Sequence, residues 1–192
     1  MLKQKLILAS KSPRRAEILQ AVGWPFTQTA ANIDETRREP EDAIAYVKRL
    51  AQTKAETVAS QIGEGLVLGA DTVVVVNGEV LGQPGDDDNA RRMLELLNGK
   101  WHEVLTGVAL VPAGDAQRTL VEHELTRVRF CEMSAKEIEW YVSTGEPRDK
   151  AGAYAVQGQG GIFIREIEGD YFNIVGLPIR LVYEMVRRII AL

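Results

Sequence analysis

A short apolar run, a polar turn and a helix start follow one another near the beginning of the chain. Residues 6–9 are uninterrupted apolar sequence, which is typical of a short buried strand. Ser12 and Pro13 form a strong helix-start signal, with serine at the N-cap and proline as the first helical residue. The pattern therefore predicts a strand followed by a helix over residues 13–22, which Gly23 is suited to end.

Further along the chain, helical and strand-like patterns are interspersed. Apolar periodicity and capping signals predict four more helices, over residues 41–62, 86–97, 134–142 and from Pro178 onward. Strand-like runs occur at residues 66–70, 73–76, 80–81, 103–111 and 119–130, and residues 162–167 and 172–175 suggest a hairpin around Gly169. Asn77-Gly78 is a type I′ hairpin signal, so some neighbouring strands must be antiparallel. We expect an α/β fold in which a mixed sheet is flanked by helices, formed by a single domain over residues 1–192.

The composition narrows the function classes. Net charge is −4, from 23 basic and 27 acidic residues, which argues against general binding to DNA or RNA. Cys131 is the only cysteine, so no internal disulfide can form, and we expect a reducing, cytoplasmic environment. The sequence shows neither a signal-peptide layout nor an apolar run of membrane-spanning length, so we expect no membrane association.

Arg14 and Arg15 fall in the first turn of the first predicted helix. Cations at that end face the positive pole of the helix dipole, which is unfavourable unless an anion lies nearby. Two arginines beside free backbone N–H groups are well suited to form a phosphate-binding site. The alternative is that both are solvated surface residues.

Two ionisable residues interrupt apolar patterns. Lys54 lies in the apolar stripe of the long helix, and it either reaches the rim of the core or projects its ammonium into a cleft. Asp71 interrupts a strand rich in valine and leucine, where a carboxylate needs a cation or hydrogen-bond donors. It is either a structural hydrogen-bond acceptor, a catalytic base or a metal-linked carboxylate. Glu35, in a polar loop, is a weaker candidate for a second carboxylate.

The segment 149–158 combines small residues with polar side chains. Its glycines allow close backbone approach to a ligand, although a plain surface loop fits equally well. Lys150 is a cation, and Gln157 offers both an amide donor and an acceptor, as a uracil or thymine edge requires. His102 and His123 lack a metal-ligand pattern and are expected to be structural, and Cys131 to be a buried thiol.

Several of these motifs, taken together and in order, resemble the Maf family of nucleotide pyrophosphatases. They are residues 10–15 (SKSPRR), Lys54 in its helix, residues 70–73 (ADTV), 149–154 (DKAGAY) and 176–178 (GLP). The resemblance covers nearly the whole chain. It implies an inosine-triphosphatase-like fold, with an elongated mixed sheet and a cleft between two lobes, in a protein that forms a homodimer.

The resemblance also implies a reaction. A nucleoside triphosphate is cleaved between its α and β phosphates with the help of a divalent cation, Mg²⁺ or Mn²⁺. Asp71 matches the proposed proton acceptor and Glu35 an acidic residue near the metal, so Glu35 and Asp71 are the expected metal ligands. The phosphate-side positions are Ser10, Arg14, Arg15, Lys54, Gln83 and Lys150.

Three positions, Arg14, Thr72 and Gln157, match the branch of the family that acts on dTTP and UTP. One position departs from the pattern, because Gln83 stands where the family usually carries lysine. Two alternatives therefore stay open: a pyrophosphatase for modified or non-standard nucleotides, and a catalytically weakened nucleotide-binding protein linked to cell division.

Overall fold

The structure, a computed structural model, describes residues 5–191. This part of the chain forms seven strands: β1 (Leu6–Leu8), β2 (Phe26–Gln28), β3 (Leu66–Val76), β4 (Glu79–Leu81), β5 (Trp101–Pro112), β6 (Leu120–Phe130) and β7 (Ile164–Glu168). Its α-helices are α1 (Pro13–Ala21), α2 (Ala43–Ala59), α3 (Asp87–Leu97), α4 (Ala135–Ser143), α5 (Tyr171–Val175) and α6 (Ile179–Ala191). Among these described residues, no helix is both long enough and apolar enough to cross a bilayer.

The strands form one mixed sheet in the order β2-β1-β3-β5-β6-β7, and β4 pairs with β3. β1 pairs in parallel with β2 and β3, whereas the β3–β4 and β6–β7 pairs are antiparallel. The mixed sheet predicted from the hairpin signals is thus confirmed. Asn77 and Gly78 both have positive φ, 51° and 81°, as the type I′ turn between β3 and β4 requires.

The described residues divide into two compact units. The first takes in residues 5–71, 106–124 and 176–191, and the second takes in residues 72–105 and 125–175.

In the first unit, α2 packs unusually close to the sheet. A Cβ added at Gly69 on β3 would lie 2.1 Å from the carbonyl oxygen of Ala51, and one at Gly107 on β5 would lie 2.2 Å from that of Val47. Both glycines therefore let the backbone of α2 contact the strands directly. The surrounding apolar core is made by Ile7, Ala9, Ala51, Ala55, Val58, Ala59, Val67, Ala109 and Val111. This packing fixes where the side chains of α2 point relative to β3.

In the second unit, α3 and α4 contribute to a separate apolar core. Its largest fully buried side chains are Phe130, Tyr141, Leu81, Leu94 and Leu97. Ser134 and Glu137 form the predicted capping box at the start of α4, with each side chain bonded to the other's backbone N–H.

Of two local predictions, one is confirmed and one is wrong. The nearly continuous strand sequence of residues 66–76 forms the single strand β3, in which the Asp71 carboxylate is paired with a cation. Residues 171–175 form the short helix α5 instead of the second strand of a hairpin. Asp170 explains the difference, since its Oδ1 accepts a hydrogen bond from Phe172 N–H at 2.7 Å and so starts the helix.

Candidate active site

Two carboxylates of the first unit converge on one buried ammonium. Lys54 Nζ on α2 lies 2.6 Å from Asp71 Oδ1 on β3 and 2.8 Å from Glu35 Oε1 in the loop after β2. Lys54 and Asp71 are only 9% and 8% exposed, whereas the side chain of Glu35 is 56% exposed. The close approach of α2 to β3 at Gly69 brings the first two together. The Lys54 side chain is thus buried, and its ammonium contacts one buried and one exposed carboxylate.

The environment of Asp71 makes its carboxylate a better proton acceptor than an exposed aspartate. Burial raises the pKa of Asp71 above its ordinary value, and the charges of Lys54 and Arg15 offset only part of that effect. A carboxylate with a raised pKa holds a proton more strongly, which suits a general base. The side chain therefore combines a fixed position with increased basicity.

Arg15 and Ser10 form a second polar cluster at the start of α1. Arg15 Nη1 donates to Ser10 Oγ at 3.2 Å, and Arg15 Nε donates to the carbonyl of Gly176 at 2.8 Å. Burial lowers the pKa of Arg15, but the guanidinium stays charged in proteins. Ser12 takes the predicted N-cap position although its side chain makes no capping hydrogen bond, and Arg14 lies in the first turn. A helix start beside a buried guanidinium is suited to hold phosphate oxygens.

The loop that carries Glu35 is attached to α2 by side chains that the sequence did not single out. Tyr46 Oη donates to the carbonyl of Glu35 at 2.8 Å, and Arg49 Nη2 donates to the carbonyl of Thr36 at 3.1 Å. Arg49 Nε also donates to Glu41 Oε1 at 2.7 Å. Tyr46 and Arg49 are one helical turn apart, so the one available signal was their spacing on one face of α2.

Two carboxylates of the described residues, Glu35 and Asp71, are the candidate donors for a divalent cation. Among the residues that the structure describes, no group of three or more His, Cys, Asp or Glu side chains could hold a metal ion. Mg²⁺ in phosphate-processing enzymes is commonly held by one or two carboxylates together with substrate phosphates. Glu35 and Asp71, whose carboxylates both form ion pairs with Lys54 Nζ, are a set of two such carboxylates.

The remaining predicted residues belong to the second unit. Gln83 Nε2 donates to the carbonyl of Asp149 at 3.2 Å, and Lys150 forms an ion pair with the carboxylate of the same Asp149. Thr72 follows Asp71 directly in β3, and Gln157 is exposed on the segment after Tyr154. The structure thus brings Gln83 and Lys150 together at Asp149.

The two histidines and the cysteine differ in how deeply they are buried. His102 is buried and bonds Tyr154 Oη through Nε2 at 2.9 Å, and burial lowers the pKa of His102 to about 4. His123 lies partly buried on β6. Cys131 is partly buried, which is less than the fully buried thiol we predicted.

A comparison with known protein families shows to which family the chain belongs. A family described as Maf-like protein matches residues 5–189, which is nearly the whole chain. The chain belongs to the Maf family. The resemblance read from the motifs is thereby confirmed.

Individual relatives support the same assignment to the Maf family. A protein of Symbiobacterium thermophilum named dTTP/UTP pyrophosphatase is 51% identical over 182 residues, covering 95% of this chain and 92% of its own. A Syntrophus aciditrophicus protein of the same name is 49% identical, covering 97% of this chain and 91% of its own.

Among solved structures, the Ham1 protein of Staphylococcus aureus has a similar fold. Its TM-score is 0.57 at 14% identity, and the match covers 96% of this chain and 98% of that one. At this identity the likeness concerns the fold alone. The Maf chain therefore has the expected α/β architecture, which the Ham1 protein shares.

Proposed function

We propose that this chain is a nucleoside triphosphate pyrophosphatase that hydrolyses dTTP and UTP to the monophosphate and pyrophosphate. The observation that carries the proposal is the buried Asp71 carboxylate held beside Lys54 and Glu35. The substrate is carried over from the relatives of the same name, which are 51% and 49% identical over nearly full length.

In the proposed reaction, water attacks the α-phosphorus while Asp71 accepts its proton. The bond between the α-phosphorus and the bridging oxygen breaks, and pyrophosphate leaves with that oxygen and the electron pair. Lys54 keeps the Asp71 carboxylate oriented at 2.6 Å. Positive charges stabilise the negative charge that develops on the phosphate oxygens. We assign that role to Arg14, Arg15, Lys54 and Lys150, with Ser10 and Gln83 as neutral hydrogen-bonding groups.

Glu35 and Asp71 would hold the divalent cation, Mg²⁺ or Mn²⁺, which would supply further charge neutralisation at the phosphates. Tyr46 would keep Glu35 in place through the hydrogen bond to its carbonyl. We further propose that Arg14, Thr72 and Gln157 each contribute to base selection.

One observation favours a weaker enzyme as the second candidate. Gln83, which replaces the family's usual lysine, bonds the carbonyl of Asp149 and brings no charge. Reduced turnover would then accompany intact nucleotide binding. A pyrophosphatase for modified nucleotides is the other alternative, and it differs in substrate only.

We also propose a cytoplasmic homodimer formed by a single Maf-like domain, whose partner is the nucleotide substrate. The net charge of −4 supports the expectation that nucleic acids and anionic membranes do not bind.

The deciding experiment measures pyrophosphate release from a panel of triphosphates, with Mg²⁺, with Mn²⁺ and without metal. The panel contains dTTP, UTP, CTP, GTP and modified pyrimidine and purine triphosphates. We expect dTTP and UTP to have the highest kcat/KM and to require metal. A higher kcat/KM for a modified triphosphate would support the pyrophosphatase for modified nucleotides. Tight nucleotide binding without turnover would support the catalytically weakened binding protein.

The role of Gln157 is tested by the substitution Gln157→Glu. Glutamate removes the amide donor and adds a charge that repels both the base carbonyl and the phosphates, so the ratio of kcat/KM for dTTP over GTP should fall. Gln61→Glu, which adds the same charge at an exposed glutamine beyond the end of α2, should leave that ratio unchanged. If the dTTP-to-GTP ratio of kcat/KM were unchanged in Gln157→Glu, Gln157 would not recognise the base.

A further inference from the structure

Residues 155–160 are attached at both ends to one pair of side chains, Tyr141 and Glu146. Tyr141 Oη accepts a hydrogen bond from Ala155 N–H at 3.1 Å and donates to Glu146 Oε1 at 2.8 Å. The Glu146 carboxylate in turn accepts from the N–H groups of Gln159 and Gly160, each at 3.0 Å. The pair thus links the beginning of this segment to its end.

The backbone of the segment lies close to both side chains of the pair, of which Tyr141 is buried and Glu146 is partly exposed. Tyr141 is fully buried, and a Cβ added at Gly160 would lie 2.4 Å from its hydroxyl oxygen. A Cβ at Gly158 would likewise lie 2.4 Å from Glu146 Oε2, and Gly158 has a φ of 150° that other residues rarely adopt. The two glycines are therefore required by the position of the pair and by the backbone that surrounds it.

The charge of Glu146 strengthens these contacts. Burial alone would raise the pKa of Glu146, but hydrogen bonds from Gly160, Gln159 and Tyr141 more than offset it and lower the pKa. The carboxylate is thus ionised at neutral pH. Hydrogen bonds to an ionised acceptor are stronger than those between neutral groups.

Gln157 lies in the middle of this attached segment. Its neighbours Ala155 and Gln159 are held through their backbone N–H groups, while its own side chain is exposed and accessible to a ligand. A backbone fixed on both sides restricts the directions in which that side chain can project. Neither Tyr141 nor Glu146 belongs to the motifs by which the chain was first compared with its family.

We propose that Tyr141 and Glu146 are positioning residues that set the backbone of residues 155–160 and thereby orient Gln157 for selection of the pyrimidine base. The inference rests on the proposed function, and it adds two residues that determine specificity without contacting the reacting phosphates. Loosening the segment costs the ordered geometry that a base-specific pair of hydrogen bonds requires.

The kinetic test compares Tyr141→Phe and Glu146→Gln with the wild-type protein. Phenylalanine fills the same buried space without the hydroxyl, and glutamine keeps the length of the side chain but places an NH₂ against one of the backbone donors. We expect each variant to lower the dTTP-to-GTP ratio of kcat/KM by about three- to tenfold, the scale of one lost hydrogen bond. The change should lie mainly in KM for dTTP, because Asp71 and Lys54 are untouched.

Amide hydrogen exchange provides a readout that does not depend on turnover. Tyr141→Phe should speed exchange at Ala155 N–H, and Glu146→Gln should speed it at the N–H groups of Gln159 and Gly160. Thr126→Val is the matched control, because Thr126 is an equally buried hydroxyl of the same unit that bonds Asp170 N–H at 3.1 Å. It should speed exchange at Asp170 only and leave the substrate ratio unchanged.

The outcomes separate this inference from the proposed function. Faster exchange in residues 155–160 with an unchanged dTTP-to-GTP ratio would overturn the positioning role. An equal loss of selectivity in Thr126→Val would also overturn it, since the effect would then be one of general stability. If the wild-type protein shows no preference for dTTP, the proposed substrate fails. The positioning role is then judged on the KM of the best substrate, and an unchanged KM rejects it.

Discussion

Lys54 shows how a single charged residue can be accommodated on the apolar face of a helix. An unpaired ammonium in that position would lose most of its hydration, at a cost of several kcal/mol. The carboxylates of Asp71 and Glu35, at 2.6 and 2.8 Å, compensate that loss. The same contacts hold Asp71 in a fixed orientation, while burial raises the pKa of its carboxylate. The ion pair therefore accounts for the buried lysine, and burial accounts for the basicity of the aspartate.

The first prediction concerns Asp71→Asn, which keeps the shape of the side chain but removes its charge and basicity. We expect kcat for dTTP to fall by about 10²–10⁴-fold, as for loss of a general base, with the fold intact. Pyrophosphate release and circular dichroism measure the two effects. Asp34→Asn is the control, because Asp34 is exposed in the loop that carries Glu35 and its oxygen acceptor for Thr36 N–H is kept. Near-normal turnover in Asp71→Asn would remove Asp71 from the mechanism.

The second prediction concerns Gln83→Lys. A lysine can still donate to the carbonyl of Asp149 where Gln83 now does, and it adds a positive charge near the proposed phosphate-binding Lys150. We expect kcat/KM to stay constant or to rise by about threefold or more, since a charged hydrogen bond is stronger than a neutral one. Gln83→Met, which has similar length but neither charge nor donor, separates the two contributions. A clear loss in Gln83→Lys would show that the surroundings are adapted to glutamine.

A site residue could be predicted from the sequence only where it differs from the apolar or polar pattern of its neighbours. Lys54 and Asp71 could be singled out because each is a polar residue in an apolar run. Tyr46 and Glu146 could not, because each lies at an unremarkable position and acts through contacts with a loop. Glu146 meets Gly160 across 14 residues of chain, and no periodicity reports such a contact. A polar residue in an apolar run can be recognised from the sequence, whereas the contacts by which one residue positions another can be recognised only from the structure.

At the scale of elements, strand and helix patterns were read correctly where they were long and locally determined. The helix starts at Pro13 and Ser134 and the turn at Asn77-Gly78 depend on a few adjacent residues, and all three were predicted. The cation that compensates Asp71 within β3 could not be identified from the strand sequence, because it lies 17 residues away on α2. The helix α5 was missed because its short apolar sequence fits a strand equally well, and Asp170 decided the outcome.

The third prediction concerns the contact between α2 and β3. In Gly69→Ala the new methyl group would lie 2.1 Å from Ala51 O, so the helix must move away from the strand that carries Asp71. We expect the free energy of unfolding to fall by about 1–3 kcal/mol, as in other overpacked cores. Because Lys54 lies on the same helix, kcat should fall as well. Denaturant unfolding and pyrophosphate release are the measurements.

The control for that substitution is Gly63→Ala, at an exposed glycine with no atom within 4 Å of the added Cβ. Its stability should change by no more than about 0.5 kcal/mol. If Gly69→Ala were as stable and as active as Gly63→Ala, the close packing of α2 would not be what fixes Lys54 beside Asp71.

At the scale of the whole molecule, the response of stability to pH sums over groups whose pKa differs between folded and unfolded chains. Asp71 has a raised pKa in the folded state, so protonation favours the folded form at that site. His102 acts in the opposite direction, because burial lowers its pKa to about 4 and keeps the ring neutral. Since the two contributions oppose each other, the pH curve of the wild-type protein alone cannot separate them.

The fourth prediction therefore compares the wild-type protein with His102→Gln, in which glutamine can still bond Tyr154 Oη. The unfolded histidine takes up a proton near its ordinary pKa of 6.5, whereas the buried ring resists protonation down to about 4. Stability that depends on the neutral ring is thus complete above pH 6.5 and is lost as pH falls towards 4. We expect the wild-type protein to lose as much as about 3 kcal/mol more of its free energy of unfolding than His102→Gln across that window.

The contribution of Asp71 is common to both proteins and cancels in the difference. The measurement is urea unfolding of both proteins at pH 7, 6, 5 and 4. Parallel curves for wild type and His102→Gln would show that His102 is not the buried neutral group that limits stability in acid.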